Sequence, residues 1–219
     1  TVPALTVNRV CGSGAQAIAN AAQDIWLGFG EVAAAGGMEN MDGAPYLLGG
    51  GRWGYRMGNA EIADSMLVDG LVDAFSNLHS GWHTEDLVAM KGITREQQDR
   101  WAERSQRRFA DAQARGAFDA ELVAVEVAGR KQTVRFERDE QPRPDTNFES
   151  LARLKPAFRA DGTITAGNAP GLNSGAAAMI VAERRYAETR GIEPIATLVS
   201  YGVGAVEPGL FGLGPVPAV

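Results

Sequence analysis

Cys11 is the only cysteine among 219 residues, and it stands at a joint between two kinds of pattern. Leu5, Val7 and Val10 lead up to it as an apolar run, so residues 4–10 read as a strand. Gly12 and Gly14 follow. Across residues 14–27, Ala15, Ile18, Ala22 and Ile25 then recur at helical spacing. A thiol at a helix start lies beside unsatisfied N–H groups and the positive end of the helix dipole. Both favour the thiolate, which is the nucleophile. The neighbouring glycines would let a substrate come close to the backbone. The competing account is a small buried residue in a tight turn, and spacing alone leaves both open.

His79 and His83 are the only histidines, four residues apart. On a helix, with a glutamate between them and further ligands, that spacing could hold a metal. Here the interval is Ser-Gly-Trp, whose glycine weakens a helix, so no metal site is expected. Each histidine then lines a pocket or lies on the surface. Residues 165–175, TAGNAPGLNSG, lack the Lys-Ser/Thr end of a phosphate-binding P-loop. Such a loop either approaches a ligand or makes a tight connection. Arg104, Arg107 and Arg108 read as a solvated helix face. Arg130, Lys131, Arg135, Arg138 and Arg143 stand nearer loops, where a phosphate-bearing ligand could meet them.

The elements that must position these groups alternate between helix and strand. Residues 31–40 begin as a buried strand, so strand, helix and strand over residues 4–40 predict a right-handed βαβ unit. Residues 46–60 read as a surface loop and 61–77 as a helix. The clearest helix is 95–115, with Thr94 and Gln97 forming a capping box and Trp101, Ala102, Phe109 and Ala112 its apolar face. Strands are expected at 120–129, 132–137, 176–183 and 195–204, with a short helix between the last two. The tail from 206 is linker-like in composition.

Bulk properties exclude several function classes. The net charge of −6 argues against nucleic acid as a partner. One cysteine allows neither an internal disulfide nor a cysteine-built zinc site, and it points to a reducing, cytoplasmic setting. No apolar run is long enough to span a membrane, and residues 1–8 lack the pattern of a signal peptide.

Taken together, NRVCGSGAQAI, AGGMENM with APY, GITREQQD, LKPAF with DGTITAGNA, GLNSGAAA and GPVPA resemble, in order, segments of the thiolase family. The resemblance runs along essentially the whole chain. It implies an α/β, thiolase-like layered fold in part: residues 1–42 and 161–205 from the N-terminal domain, 43–160 as the inserted loop domain, and 206–219 as a linker. It implies that Cys11 takes the acyl group as a thioester. It also implies coenzyme A contacts from Leu71, His79, Arg143, Phe158, Ala166, Gly167 and Ala169, with Arg52 and Arg56 in a loop associated with tetramers. The thioester of coenzyme A is the substrate, so no separate cofactor is implied. The implied activity is condensation of two acetyl-CoA, or thiolysis of short-chain 3-ketoacyl-CoA, within fatty acid metabolism and in a homo-oligomer, dimer or tetramer.

Family members carry a later G-H-P histidine and a second cysteine in C-x-G-G-G, and neither motif occurs here. The chain therefore reads as the middle of a thiolase, inactive by itself. The alternative is a thiolase-like protein that binds acyl-CoA or lipid without turnover. Smaller departures bear on coenzyme A binding: Ser80 where Met is common, His83-Thr84 before Glu85, Pro170 for a serine and Ser174 for an aspartate.

Overall fold

The computed structural model describes residues 2–130 and 132–219. In chain order the elements are α1 (Ser13–Trp26), β1 (Val32–Asn40), β2 (Tyr46–Leu47), β3 (Ala63–Asp64), α2 (Ser80–Lys91), α3 (Arg95–Ala114), β4 (Val125–Ala128), β5 (Thr133–Phe136), α4 (Phe148–Ala152), β6 (Ser174–Ala182), α5 (Arg184–Thr189) and α6 (Pro215–Ala218). The chain divides into two units: residues up to Ser80 with Leu172–Val219, and Gly81–Gly171.

In the first unit, β1 and β6 pair antiparallel from Val32 opposite Ala182 to Asn40 opposite Ser174. Small residues dominate both strands, so α1 packs closely over them with Ala19, Ala21 and Ala22 buried. The expected parallel βαβ unit does not form. Residues 4–10 make no ladder, and the same holds for 195–204. A strand without a neighbour leaves its N–H and C=O groups unsatisfied, so sequence preference alone cannot fix it.

The glycines of β1 carry a test. A methyl at Gly36 would lie 2.6 Å from the Ala177 carbonyl oxygen, whereas one at Gly37 would sit 3.6 Å from the Gly14 Cα, an ordinary contact. Gly36→Ala is therefore expected to cost about 1–3 kcal/mol and Gly37→Ala to stay near neutral. Thermal unfolding of the two variants side by side checks the difference.

Residues 61–77 are not one helix. β3 pairs with β2, and a single π-type turn, Leu67–Leu71, follows. Aspartates compete with helix here: Asp64 Oδ1 accepts the Met66 N–H at 2.9 Å, and Asp73 Oδ2 accepts the Ser76 N–H at 2.9 Å.

In the second unit, α2 forms despite Gly81, a position where a methyl would run into the Phe158 ring packed over it. Packing outweighs propensity at this position. Helix α3 has the expected capping box, with Thr94 N–H donating to Gln97 Oε1 at 2.8 Å. Of its expected apolar face, Ala102, Phe109 and Ala112 are half-buried, whereas Trp101 is 66% exposed, under the Arg104 guanidinium, and the most buried residue of the helix is Asp99. β4 and β5 form a hairpin shorter than expected. Lys131, between them, lies outside the described residues.

Candidate active site

Cys11 is exposed, two residues before the first turn of α1. Val10, directly before it, has φ +47°. That left-handed conformation is costly for a β-branched residue, of order 1–3 kcal/mol. Local hydrogen bonds hold it in place. Gly12 N–H donates to Arg9 O at 2.9 Å and Ser13 N–H to Val10 O at 3.1 Å. Ser13 Oγ accepts from Arg9 N–H at 2.8 Å and donates to Val10 O at 2.7 Å. Asn8 Oδ1 accepts the Val10 N–H at 2.9 Å, and Arg9 Nη1 donates to Gln16 Oε1 at 2.7 Å.

The segment leading into α1 is thus a locked, strained turn with its thiol exposed. Among the described residues, the N–H groups of Gly14 and Ala15 meet no backbone acceptor. The helix start therefore offers donors to an anion. A methyl at Gly14 would meet nothing within 4 Å, so the space beside the turn is open.

Asn8, Arg9, Ser13 and Gln16 lie in the NRVCGSGAQAI segment, but no role for them is read from the sequence. Their one available signal is that Asn and Ser side chains readily close local turns. The strain is testable. Val10 is 55% exposed, so its replacement loses little burial. Asn tolerates φ > 0, and Val10→Asn is expected to stabilise the chain by about 1 kcal/mol. The denaturant midpoint reads this directly.

Leu71 and His79 belong to the first unit. A tight turn brings them near each other: Val72 pairs with His79, and Asp73 N–H donates to Leu78 O at 2.9 Å. His79 is half-buried, and His83, on α2, is buried. No group of three side chains suited to a metal occurs among the described residues. Ser174 Oγ lies 3.0 Å from Asp42 Oδ2 and 3.2 Å from Asn40 Oδ1, so it ties β6 to the end of β1. An open cavity of about 250 Å³ is lined by Met41, Asp42, Tyr46, Asp64, Met66 and Leu172 among others. It includes neither Cys11 nor any of the residues expected to contact coenzyme A.

Phe158, Ala166, Gly167, Ala169 and Arg143 belong to the second unit. Phe158 packs on the start of α2. Gly167 has no room for a side chain, since a methyl would lie 2.5 Å from both Leu151 Cδ2 and Leu154 Cδ1. Ala166 is exposed beside it, while Gly167 and Ala169 are half-buried. Arg143 is exposed, and its backbone N–H donates to Gln106 Oε1 of α3 at 2.8 Å. Arg159 Nη1 donates to Asp86 Oδ1 at 2.7 Å. That hydrogen bond holds the Asp86 carboxyl below its ordinary value and raises the guanidinium.

The chain thus displays its one thiol on a strained turn leading into α1. Comparison with known proteins gives the chain its family. Residues 1–185 match the model of the thiolase N-terminal domain, and the chain belongs to the thiolase family. A probable acetyl-CoA acyltransferase of Staphylococcus epidermidis is 48% identical over 219 residues, all of this chain and 56% of that protein. The crystal structure of Bacillus anthracis acetyl-CoA acetyltransferase superposes with a TM-score of 0.91 at 43% identity, over 97% of this chain and 54% of the other. Human mitochondrial 3-ketoacyl-CoA thiolase also reaches 0.91, at 40% identity, over 99% and 55%. The fold is therefore a partial thiolase α/β fold, and the chain spans about half the length of the relatives it matches.

Proposed function

We propose that the protein bearing this chain is an acyltransferase of the thiolase type, acting through an acyl-cysteine at Cys11. The observation that carries this is the exposed thiol on a turn braced at Val10, at the start of α1. In the first half-reaction the Cys11 thiolate attacks the thioester carbon of an acyl-CoA. The Cys–acyl bond forms as the bond to coenzyme A sulfur breaks, and free coenzyme A leaves with a proton. In the second, a carbanion from acetyl-CoA takes the acyl group and frees Cys11, giving a 3-ketoacyl-CoA. Thiolysis is the reverse.

Covalent capture splits one hard step into two easier ones. The negative oxygen that develops at the thioester carbonyl needs N–H donors, and the start of α1 supplies that type of group. The reading assigns coenzyme A contacts to Leu71, His79, Arg143, Phe158, Ala166, Gly167 and Ala169. It places the groups that take the carbon-bound proton in the further length its relatives have. A homo-oligomer, a cytoplasmic setting and a place in short-chain fatty acid metabolism belong to the same proposal.

Exchange of labelled coenzyme A into acetyl-CoA, with no second acyl substrate, tests it. Ping-pong chemistry on Cys11 requires that exchange in the full-length protein, and its absence would overturn the assignment.

A further inference from the structure

We propose that Glu85 and Asp99 are positioning residues for acyl-CoA: two buried carboxylates that latch the 163–169 loop to α2 and α3. The inference rests on the acyl-CoA reading above and adds residues to it.

Glu85 is 5% exposed and Asp99 1%, yet both are carboxylates with no room for water around most of their surface. Burying such groups is expensive unless their oxygens are fully occupied. Each is occupied by the same loop. Glu85 Oε2 accepts the Thr163 N–H at 2.9 Å and the Thr163 hydroxyl at 3.1 Å, and Glu85 Oε1 accepts the Ile164 N–H at 3.0 Å. Asp99 Oδ1 accepts from Asn168 Nδ2 at 2.9 Å, while Asp99 Oδ2 pairs with Arg95 Nε at 2.7 Å. Arg95 Nη2 then reaches Leu151 O at 2.7 Å and Leu154 O at 3.0 Å, the two residues against which Gly167 is packed.

Inside the loop the chain closes on itself. Asn168 Oδ1 accepts the Thr165 N–H at 2.7 Å, Thr165 Oγ1 accepts the Gly167 N–H at 3.2 Å, and Thr165 itself is fully buried. The outcome is a turn fixed from both ends, with Ala166 left exposed at its tip.

A loop needed only for packing could be held by apolar contacts at lower cost, since well-packed hydrophobic replacements of buried ion pairs are often neutral or stabilising. Directional bonds to backbone N–H groups fix the backbone's orientation instead. That is the property a ligand contacting backbone and small side chains requires. The carboxylates do this from the far side of the loop, without being offered to the ligand.

The test compares two acyl donors on the full-length protein. Acetyl-CoA engages the coenzyme A contacts, whereas S-acetyl-N-acetylcysteamine carries the same reacting thioester without the nucleotide. Asp99→Asn and the milder Thr163→Val, which removes the Thr163 hydroxyl's bonds to Glu85 and Gln98 but keeps the Thr163 N–H bond, are the variants. Both are expected to raise KM for acetyl-CoA, Asp99→Asn by about tenfold or more, with kcat and acylation by the short thioester within about twofold of the parent.

Equal loss with both donors would mean that the carboxylates only hold the fold, and no loss with either would mean that the latch is idle. Each result overturns the inference. If the parent protein is acylated by neither donor, the acyl-CoA reading itself fails and this inference falls with it.

Discussion

Replacing Cys11 by serine is expected to lower acyl transfer by the full-length protein at least about a thousandfold, because the step that stores the acyl group is lost. The same change is expected to leave stability within about 0.5 kcal/mol, since the side chain is exposed and the substitution nearly isosteric. The two readouts together separate chemistry from folding. A hydroxyl at this place has the turn, the helix start and the open space beside Gly14, but it ionises far less readily than a thiol. Steady-state rates with acetyl-CoA, set beside a denaturation curve, check both halves. Retained activity would move the nucleophile elsewhere, and lost stability would make the thiol a packing group after all.

The second large effect concerns Glu85. Glu85→Ala removes the acceptor of the Thr163 N–H, the Ile164 N–H and the Thr163 hydroxyl in one step. Ile164 is itself buried, so its N–H is not readily rescued by solvent. An orphaned buried donor costs about 1–3 kcal/mol, and a loss of about 3–4 kcal/mol is expected here. Glu85→Gln keeps an acceptor oxygen and should cost about half as much. Amide hydrogen exchange reads the location: protection at 163–169 should fall before that at α1. A loss under about 1 kcal/mol would show that the buried carboxylate is not what fixes the loop.

Both effects bear on what was legible in the amino-acid sequence. Local signals were. Of the stripe expected on α1, Ala22 is buried and Ile18 and Ile25 half-buried, with Ala15 exposed; Gly28, Gly116 and Gly191 sit at positive φ just past helices, and Thr94 with Gln97 caps α3. β6 follows from its short apolar run. These features depend on neighbours in sequence, so periodicity and capping chemistry reveal them.

Features settled by distant neighbours were not legible. Residues 4–10 and 195–204 have strand composition but no ladder. Helix α2 contains Gly81, and the Phe158 ring fills the space over it. On α3, Ala102, Phe109 and Ala112 are half-buried as their spacing suggests, but Trp101 is exposed and Asp99 is the most buried residue, which no hydrophobic pattern signals. The loop partners of Asp99 and Glu85, Asn168 and Thr163, lie more than sixty residues away.

The site shows the same division. Cys11 stands out by type and place, whereas its supports, Val10 in a left-handed conformation and Ser13 bridging Arg9 and Val10, come from geometry alone.

The most direct test of the central claim is a mass. The full-length protein is mixed briefly with acetyl-CoA, quenched in acid and digested, and the peptide containing Cys11 is weighed. The account expects that peptide to carry one acetyl group, removable by hydroxylamine as a thioester is, and absent from Cys11→Ser. An acetyl group on a different residue, or an adduct that survives in Cys11→Ser, would contradict it.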